Sequence, residues 1–201
     1  MENDLLTSQR DLLALVQSGL AFTKDPFDRD RYEKMQRLLI TQMAQTTGTG
    51  MAPLTDLLSQ ENGYVTPKLD VRALIQKNNQ ILLVQDIRTH TWALPGGFAD
   101  VGYSPNENIA REVLEETGLH VKVDGLLNVF DTAKRPDIPQ VFQYYKLVFA
   151  CTVLTGHFES NIEVDRCAYF DPQDLPPLSL KRTTPEQLQT LLTNRQRINV
   201  E

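Results

Sequence analysis

Residues 96–119 have the sequence Gly-Gly-Phe-Ala-Asp-Val-Gly-Tyr-Ser-Pro-Asn-Glu-Asn-Ile-Ala-Arg-Glu-Val-Leu-Glu-Glu-Thr-Gly-Leu. Three carboxylates, Glu112, Glu115 and Glu116, are spaced at i, i+3 and i+4. On a helix this spacing gathers them on one surface. Clustered like charges repel, and a hard divalent cation with oxygen ligands would relieve the repulsion. The stretch therefore predicts a metal-dependent enzyme that acts on phosphates.

Both ends of this helix are marked in the sequence. Ser104 is a suitable N-cap, Pro105 fits the first helical position, and Glu107 completes a Ser-x-x-Glu capping box. Gly118 follows the last turn, where a left-handed residue ends many helices. One face is apolar and predicts the buried side: Ile109, Ala110, Val113 and Leu114.

A solvated acidic face is the alternative, because Arg111 could pair with Glu115 at i+4. The residues in front of the helix favour a functional role instead. Leu94-Pro95-Gly96-Gly97 places two glycines there, and glycines let a backbone approach a ligand closely or adopt a positive φ.

The segment resembles the Nudix box, whose pattern is G-x5-E-x7-R-E-U-x-E-E-x-G-U with U an aliphatic residue. The matching positions are Gly97, Arg111, Glu112, Val113, Glu115, Glu116, Gly118 and Leu119. The resemblance implies an α/β/α sandwich around a mixed sheet and hydrolysis of a diphosphate that is linked to another group. It also implies Mg²⁺ or Mn²⁺ bound by the three glutamates and by a carbonyl of Gly96 or Gly97, with Arg111, Glu112 and Glu115 as catalytic residues.

Tyr103 stands where the pattern has its first glutamate. A phenol is neutral near pH 7 and a poor ligand for Mg²⁺, so one acceptor is missing. Tyr103 could simply pack over the loop, or it could signal an altered number of metal ions or a lower activity. Asp100 is near enough in the sequence to compensate, or it could equally well cap the loop.

The reaction also needs a base that takes a proton from water. Metal ions on the glutamates would stabilise the developing charge and lower the pKa of a bound water. Glu163 is the best late candidate for the base, ahead of Asp165, although an exposed strand-end carboxylate would look the same.

Residues that contact the substrate are harder to choose. Arg72 or the Lys134-Arg135 pair could hold phosphate or ribose, and the pair could equally be surface cations. Trp92 or Tyr103 could stack a nucleotide base, whereas Trp92 could also be a core residue.

Composition excludes several classes of protein. The chain has 201 residues, 41% of them hydrophobic and 23% charged, with a net charge of −6, typical of a globular protein. The acidic balance argues against nucleic-acid coating and gives no support to binding at an anionic membrane. The sequence shows neither an apolar run of membrane-spanning length nor a signal-peptide pattern. Cys151 and Cys167 lack metal-ligand spacing, so we expect two buried thiols and a cytoplasmic location.

The spacing of apolar residues changes once along the chain. Residues 1–62 contain apolar positions at helical intervals on both sides of Asp25-Pro26, which predicts a helical hairpin. This domain is too small for an independent core, so it must pack on the rest of the chain or on a twin chain. Residues 66–201 are the second predicted domain.

Within 66–201 the pattern alternates as in strands and ends in a helix. An Asn78-Asn79 turn between two strands indicates a β-hairpin. Thr184 and Gln187 form a capping box for the last helix. The predicted strands are Leu69–Gln76, Ile81–Gln85, Val121–Asp131, Val141–Leu154 and Cys167–Phe170.

The helical segment resembles the domain that precedes Nudix modules acting on X-linked nucleoside diphosphates. Residues 66–72, 94–102 and 178–186 are similar to the same group. This resemblance implies a substrate such as ADP-ribose or CDP-choline, release of a nucleoside monophosphate, and a homodimer built partly by the helical segment.

A second hypothesis belongs to another class: a catalytically silent Nudix-fold sensor that binds a nucleotide and signals through its helical N-terminus. Tyr103 favours it, whereas the three retained glutamates favour the hydrolase. The base, the second moiety, the preferred metal and its count, and the phosphorus attacked are left open by the sequence.

Overall fold

The computed structural model describes residues 5–59, 63–135, 137–138, 140–193 and 199–200. The chain divides into two compact units. The helical unit combines the residues up to Pro67 with Ala133–Gln143, and the sheet unit consists of Lys68–Thr132 and the chain from Tyr144 onward.

The helical unit contains α1 (Leu5–Phe22), α2 (Pro26–Thr47) and α3 (Met51–Ser59). Asp25 caps α2, because its Oδ1 accepts hydrogen bonds from the Phe27 and Asp28 amides at 2.7 and 3.0 Å. The helices pack around a common apolar core: Leu6, Leu13, Val16, Leu39, Ile40, Met43, Leu54 and Leu58. The predicted N-terminal helical region is thus confirmed. None of the described helices is long and apolar enough to cross a membrane.

The sheet unit contains seven strands and two helices in the part of the chain that the structure describes. In chain order they are β1 (Lys68–Lys77), β2 (Gln80–Asp86), β3 (Trp92–Ala93), α4 (Pro105–Thr117), β4 (Leu119–Asp131), β5 (Tyr144–Gly156), β6 (Val164–Phe170), α5 (Pro185–Thr193) and β7 (Asn199–Val200). A 3₁₀ turn over Thr132–Lys134 follows β4.

The sheet is mixed, as predicted. Its order is β3-β2-β1-β5-β4-β7, with β6 also paired to β2. The β1–β5 and β4–β7 pairs are parallel and the others antiparallel. Asn78 and Asn79, both at positive φ, form the hairpin turn between β1 and β2. The predicted strand from Val141 begins only at Tyr144, because Val141 and Phe142 pack on the core of the helical unit.

The two faces of β1 pack on different helices. Val71, Ala73 and Ile75 share one apolar core with Ile109 and Val113 of α4. Leu74, which points the other way, belongs to a second core with two leucines of α5, Leu188 and Leu191. Helices therefore cover opposite faces of the sheet, and the predicted α/β/α sandwich is confirmed.

A split between β1 and β2 positions the site. The two strands pair only beside their turn, at Gln76–Lys77 and Gln80–Ile81. Further along β1 the segment 95–99 takes the place of β2. Val71 N donates to Gly97 O at 2.8 Å, and Ala99 N donates to Leu69 O at 3.0 Å. The Gly-Gly segment is thereby fixed along the edge of β1.

Candidate active site

The ends of α4 form as the sequence predicts. Ser104 Oγ accepts from Glu107 N at 3.3 Å, and Ser104 N donates to Glu107 Oε2 at 2.8 Å. Gly118 ends the helix with φ of 68°, and its N–H donates to Leu114 O at 2.8 Å. With both ends fixed, the glutamates of α4 have a defined direction.

A cavity of about 430 Å³ lies beside α4 in the sheet unit. It brings together residues from the Gly-Gly segment, from α4 and from two later loops. Six lining residues matter most here: Arg72, Gly97, Glu112, Glu116, Glu163 and Arg182.

Glu116 is the most enclosed of the three glutamates, with 5% of its surface exposed. Its Oε2 accepts from Gly96 N at 2.7 Å, and its Oε1 accepts from Arg182 Nη2 at 2.8 Å. A buried carboxylate is costly unless it is paired. The amide and the guanidinium supply that pairing.

Glu112 is half-buried, and the burial of its carboxylate is offset by fewer contacts than that of Glu116. Among the described residues, none donates a hydrogen bond to its carboxylate. Burial, and then the charges of Glu116, Glu115 and Glu163, raise the pKa of Glu112 to about 7, although Arg72 acts in the opposite direction. Burial and the neighbouring carboxylates thus outweigh the opposite charge of Arg72 at Glu112.

Glu115 lies outside the lining of the cavity. Its Oε1 accepts from Arg111 Nη2 at 3.2 Å. This is the ion pair that the alternative of a solvated acidic face predicts. The guanidinium of Arg111 also lies 4.1 Å from the centre of the Tyr103 ring. In this structure no group of three His, Cys, Asp or Glu side chains among the described residues is arranged to hold a metal ion.

Arg72 is buried at the base of the cavity. Its Nε donates to Asp70 Oδ1 at 2.7 Å, and Nη1 donates to the carbonyls of Leu94, at 3.2 Å, and Gly96. Burial alone would lower the pKa of Arg72, but Asp70, Glu116 and Glu112 outweigh it and the pKa is raised. Arg72 is therefore a permanent cation that also holds the Gly-Gly segment.

Both glycines of the segment have close neighbours, but only at Gly96 is that neighbour a backbone atom. Gly96 has φ of +134°, and a Cβ there would lie 2.1 Å from Val71 O. A Cβ on Gly97 would lie 2.6 Å from Glu112 Oε2. The absence of side chains thus lets the backbone pass between β1 and the Glu112 carboxylate.

Glu163 lines the cavity from the loop before β6. Asn161 attaches this loop to α4: its Nδ2 donates to the carbonyls of Glu115 and Glu116 at 3.1 and 3.2 Å. Its Oδ1 accepts from the amides of Glu163 and Val164 at 3.0 and 2.9 Å. One side chain therefore satisfies carbonyls at the end of α4 and fixes the backbone at Glu163.

The other sequence candidates lie elsewhere. Trp92 is 7% exposed and packs edge-on against Phe170, with ring centroids 4.7 Å apart. It is therefore a core residue, which was the alternative to base stacking. Lys134 and Arg135 belong to the helical unit.

Sequence reasoning missed four lining residues, Asp86, Arg88, Phe98 and Arg182. Arg182 precedes the cap of α5 and is fixed by its neighbours. Leu94 N donates to Thr183 Oγ1 at 2.9 Å, and Lys146 Nζ donates to Arg182 O. Arg182 lies in the stretch 178–186, which is similar to the Nudix modules acting on X-linked nucleoside diphosphates, but the sequence does not show that its side chain reaches Glu116 across 66 positions.

Family models match both parts of the chain. The NUDIX domain model matches residues 66–191. A model described as a UDP-X-like, N-terminal oligomerisation domain matches residues 3–58.

Individual relatives agree with these matches. The chain is 44% identical over 178 residues to YjhB of Bacillus subtilis, which has the provisional name ADP-ribose pyrophosphatase, covering 89% of this chain and 86% of the relative. A crystal structure of a UDP-X diphosphatase is 41% identical, with a TM-score of 0.66 and 98% of each chain covered. An ADP-ribose pyrophosphatase structure from Streptococcus suis is 36% identical, with a TM-score of 0.61, covering 68% of this chain and all of that one. The chain therefore belongs to the Nudix hydrolase family.

Proposed function

We propose that this hydrolase cleaves the diphosphate of a nucleoside diphosphate that is joined to a second moiety, and that it releases a nucleoside monophosphate. The observation that carries the proposal is the meeting of Glu112 and Glu116 with Arg72 and Arg182 in one cavity. Carboxylates that can hold cations and guanidinium groups that can hold phosphate are the two partners that such a substrate needs. ADP-ribose is the first substrate to test, because relatives with substantial identity are named as ADP-ribose pyrophosphatases.

The donor set fits a hard divalent cation, Mg²⁺ or Mn²⁺. Glu112 offers oxygens that no described residue bonds. Burial, together with the neighbouring glutamates, raises its pKa, so a bound cation would favour its charged form. Glu112 would hold the cation together with Glu116, whose two oxygens also accept from Gly96 N and Arg182. Glu115 would join them only by leaving Arg111, and Gly97 only through a carbonyl that now accepts from Val71 N at 2.8 Å. The chemistry supplied by the cation is charge neutralisation on the phosphate and acidification of the attacking water.

Side chains of the protein would bind the diphosphate, accept the proton of the attacking water and orient Glu115. Arg182 and Arg72 present permanent positive charge to the diphosphate. Glu163 is the proposed general base, because it lines the same cavity on a loop that Asn161 fixes to α4. Arg111 would act by orienting Glu115, which it contacts at 3.2 Å.

The domain division is part of the proposal. Residues 1–62 would form the N-terminal helical domain and residues 66–201 the hydrolase domain. We propose a homodimer with the helical domain in its interface, since the matching model describes an oligomerisation domain. Cys151 and Cys167 are both unpaired, which fits the reducing cytoplasm expected from the sequence.

A substrate panel tests the proposal. Purified protein with Mg²⁺ is incubated with ADP-ribose, CDP-choline and a UDP-sugar, and nucleoside monophosphate release is measured by chromatography. We expect turnover that EDTA abolishes and that Glu112→Gln and Glu116→Gln each lower by at least about hundredfold in kcat/KM. Glu115→Gln is the matched variant on the same helix, and its loss should be smaller. A protein that binds these nucleotides without turnover would instead fit the sensor hypothesis.

A further inference from the structure

One aromatic ring stands among the charged lining of the cavity. Of the described residues that line it, Phe98 is the only aromatic one, and 59% of its surface is exposed. Single exposed apolar side chains are common on protein surfaces and need no explanation. A phenyl ring beside paired carboxylates and guanidinium groups is a different case, because nothing in that lining shields it from water.

The ring of Phe98 has a partner ring in the sheet unit. It is stacked on the ring of Tyr144, with centroids 5.6 Å apart and planes 13° from parallel. The backbone on both sides is bonded to β1, since Gly97 O accepts from Val71 N at 2.8 Å and Ala99 N donates to Leu69 O at 3.0 Å. Phe98 therefore presents a flat surface whose orientation is set before any ligand arrives.

The place of Phe98 in the chain matches the layout of a nucleotide. A Cβ on Gly97 would lie 2.6 Å from Glu112 Oε2, so the backbone at this residue passes close beside the carboxylate. The ring leaves the chain at the next residue. In a nucleotide, the base is likewise separated from the phosphate by one ribose, and it needs a flat apolar surface rather than charge.

We propose that Phe98 is the platform on which the base of the substrate nucleotide stacks. The proposal rests on the proposed function only for the ligand's class, a nucleotide bound through its phosphate. The two aromatic residues expected from the sequence do not compete for the role. Trp92 lies in the core, and Tyr103 lies against Arg111 outside the cavity lining. Because stacking uses the face of a base and not its hydrogen-bonding edge, Phe98 would accept purines and pyrimidines alike.

Ligand binding, and not turnover, tests the platform. Calorimetry with Mg²⁺ measures the affinity of wild type, Phe98→Ala, Phe98→Leu and Phe98→Trp for AMP and for ribose 5-phosphate, which lacks the base. We expect Phe98→Ala to weaken AMP binding about tenfold and Phe98→Leu nearly as much, because leucine keeps the apolar bulk but has no ring face. Phe98→Trp should retain AMP binding. The affinity for ribose 5-phosphate should be the same in all four proteins.

Phe98→Trp also gives an optical signal. The natural chain has one tryptophan, Trp92, which is buried in the core. The introduced indole would lie at the cavity, and AMP should quench its fluorescence whereas ribose 5-phosphate should not.

Three outcomes would overturn the platform: AMP binding that is equal in wild type and Phe98→Ala, Phe98→Leu binding that equals wild type, or equal losses for AMP and ribose 5-phosphate. Wild type that binds no AMP would overturn it as well. The protein could also bind AMP in a way that depends on the base and on Phe98, yet hydrolyse none of the substrates in the panel. That result would support the platform and refute only the proposed function.

Discussion

The Arg182 guanidinium lies 2.8 Å from Glu116 Oε1 and 3.6 Å from Asp86 Oδ2, and so joins the loop before α5 to both α4 and β2. Glu116 is almost fully enclosed, so this cation is the charge that makes its burial tolerable. Arg182 thus has a structural task in addition to the phosphate contact proposed for it.

Removing Arg182 should therefore destabilise the protein. Arg182→Ala would leave the buried Glu116 carboxylate with one hydrogen bond and with Arg72 as its remaining nearby cation. We expect the free energy of unfolding to fall by about 2–4 kcal/mol. Urea denaturation measures the change. Arg88→Ala is the matched control, because Arg88 lines the same cavity but its side chain is 85% exposed and pairs with Asp86 at 3.6 Å. Equal stability of the two variants would show that Glu116 does not depend on Arg182.

The pH dependence of stability should report Glu112. Its pKa is about 7 in the folded protein against an ordinary value of 4.5 for glutamate, so between these values the folded state binds more protons than the unfolded one. Its contribution to stability is fully present below about 4.5 and is lost as the pH rises through about 7. In EDTA, the stability difference between wild type and Glu112→Gln should change across this window and stay constant above it. A difference that is flat from pH 5 to pH 8 would contradict the raised pKa.

The same carboxylate should make cation binding pH-dependent. A ligand must be deprotonated to hold Mg²⁺, so the rise in melting temperature on adding Mg²⁺ should be larger at pH 8 than at pH 6. Glu112→Gln should remove most of this rise at both pH values. If Mg²⁺ stabilises the wild type equally at both, Glu112 is not a ligand.

The sequence predicted the elements of this molecule better than the contacts between them. The capping box of α4 formed because its determinants, Ser104 and Glu107, are three residues apart and act locally. The same is true of the Asn78-Asn79 turn. Periodicity placed Ile109 and Val113 correctly on the buried face of α4, but Leu114, which was predicted on the same face, is 38% exposed.

What the sequence could not show depends on the fold. Helical spacing put Glu112, Glu115 and Glu116 on one surface, but spacing does not say which neighbour each carboxylate meets. Arg111 on the same helix holds Glu115, whereas Arg182, which is distant in sequence, holds Glu116. Phe98 was overlooked for a similar reason, because residue spacing does not show that its ring lines the same cavity as Glu112 and Glu116.

Asn161 should affect catalysis more than stability. Asn161→Ala removes four hydrogen bonds that fix the loop of Glu163 to the end of α4. If Glu163 is the general base, we expect kcat to fall about tenfold with little change in KM, since a misplaced base slows the chemical step without loosening the substrate. Steady-state kinetics on the preferred substrate measures the split. Ile162→Ala is the control on the same loop, because this side chain is 90% exposed. Similar kinetics for the two variants would show that Asn161 does not position Glu163 for catalysis.

Replacing Gly96 should lower the stability of the protein, whereas replacing Gly97 should weaken its binding of Mg²⁺. Gly96→Ala puts a Cβ 2.1 Å from the Val71 carbonyl at a φ of +134°, so the backbone itself must move, and we expect a loss of about 2–4 kcal/mol in unfolding free energy. Gly97→Ala meets only the end of the Glu112 side chain, at 2.6 Å, and that side chain can turn away. The Gly97→Ala variant should therefore remain folded but bind Mg²⁺ more weakly, which urea denaturation and Mg²⁺ titration separate. Wild-type Mg²⁺ affinity in Gly97→Ala would mean that the position of Glu112 does not matter for the cation, and would count against Glu112 as its ligand.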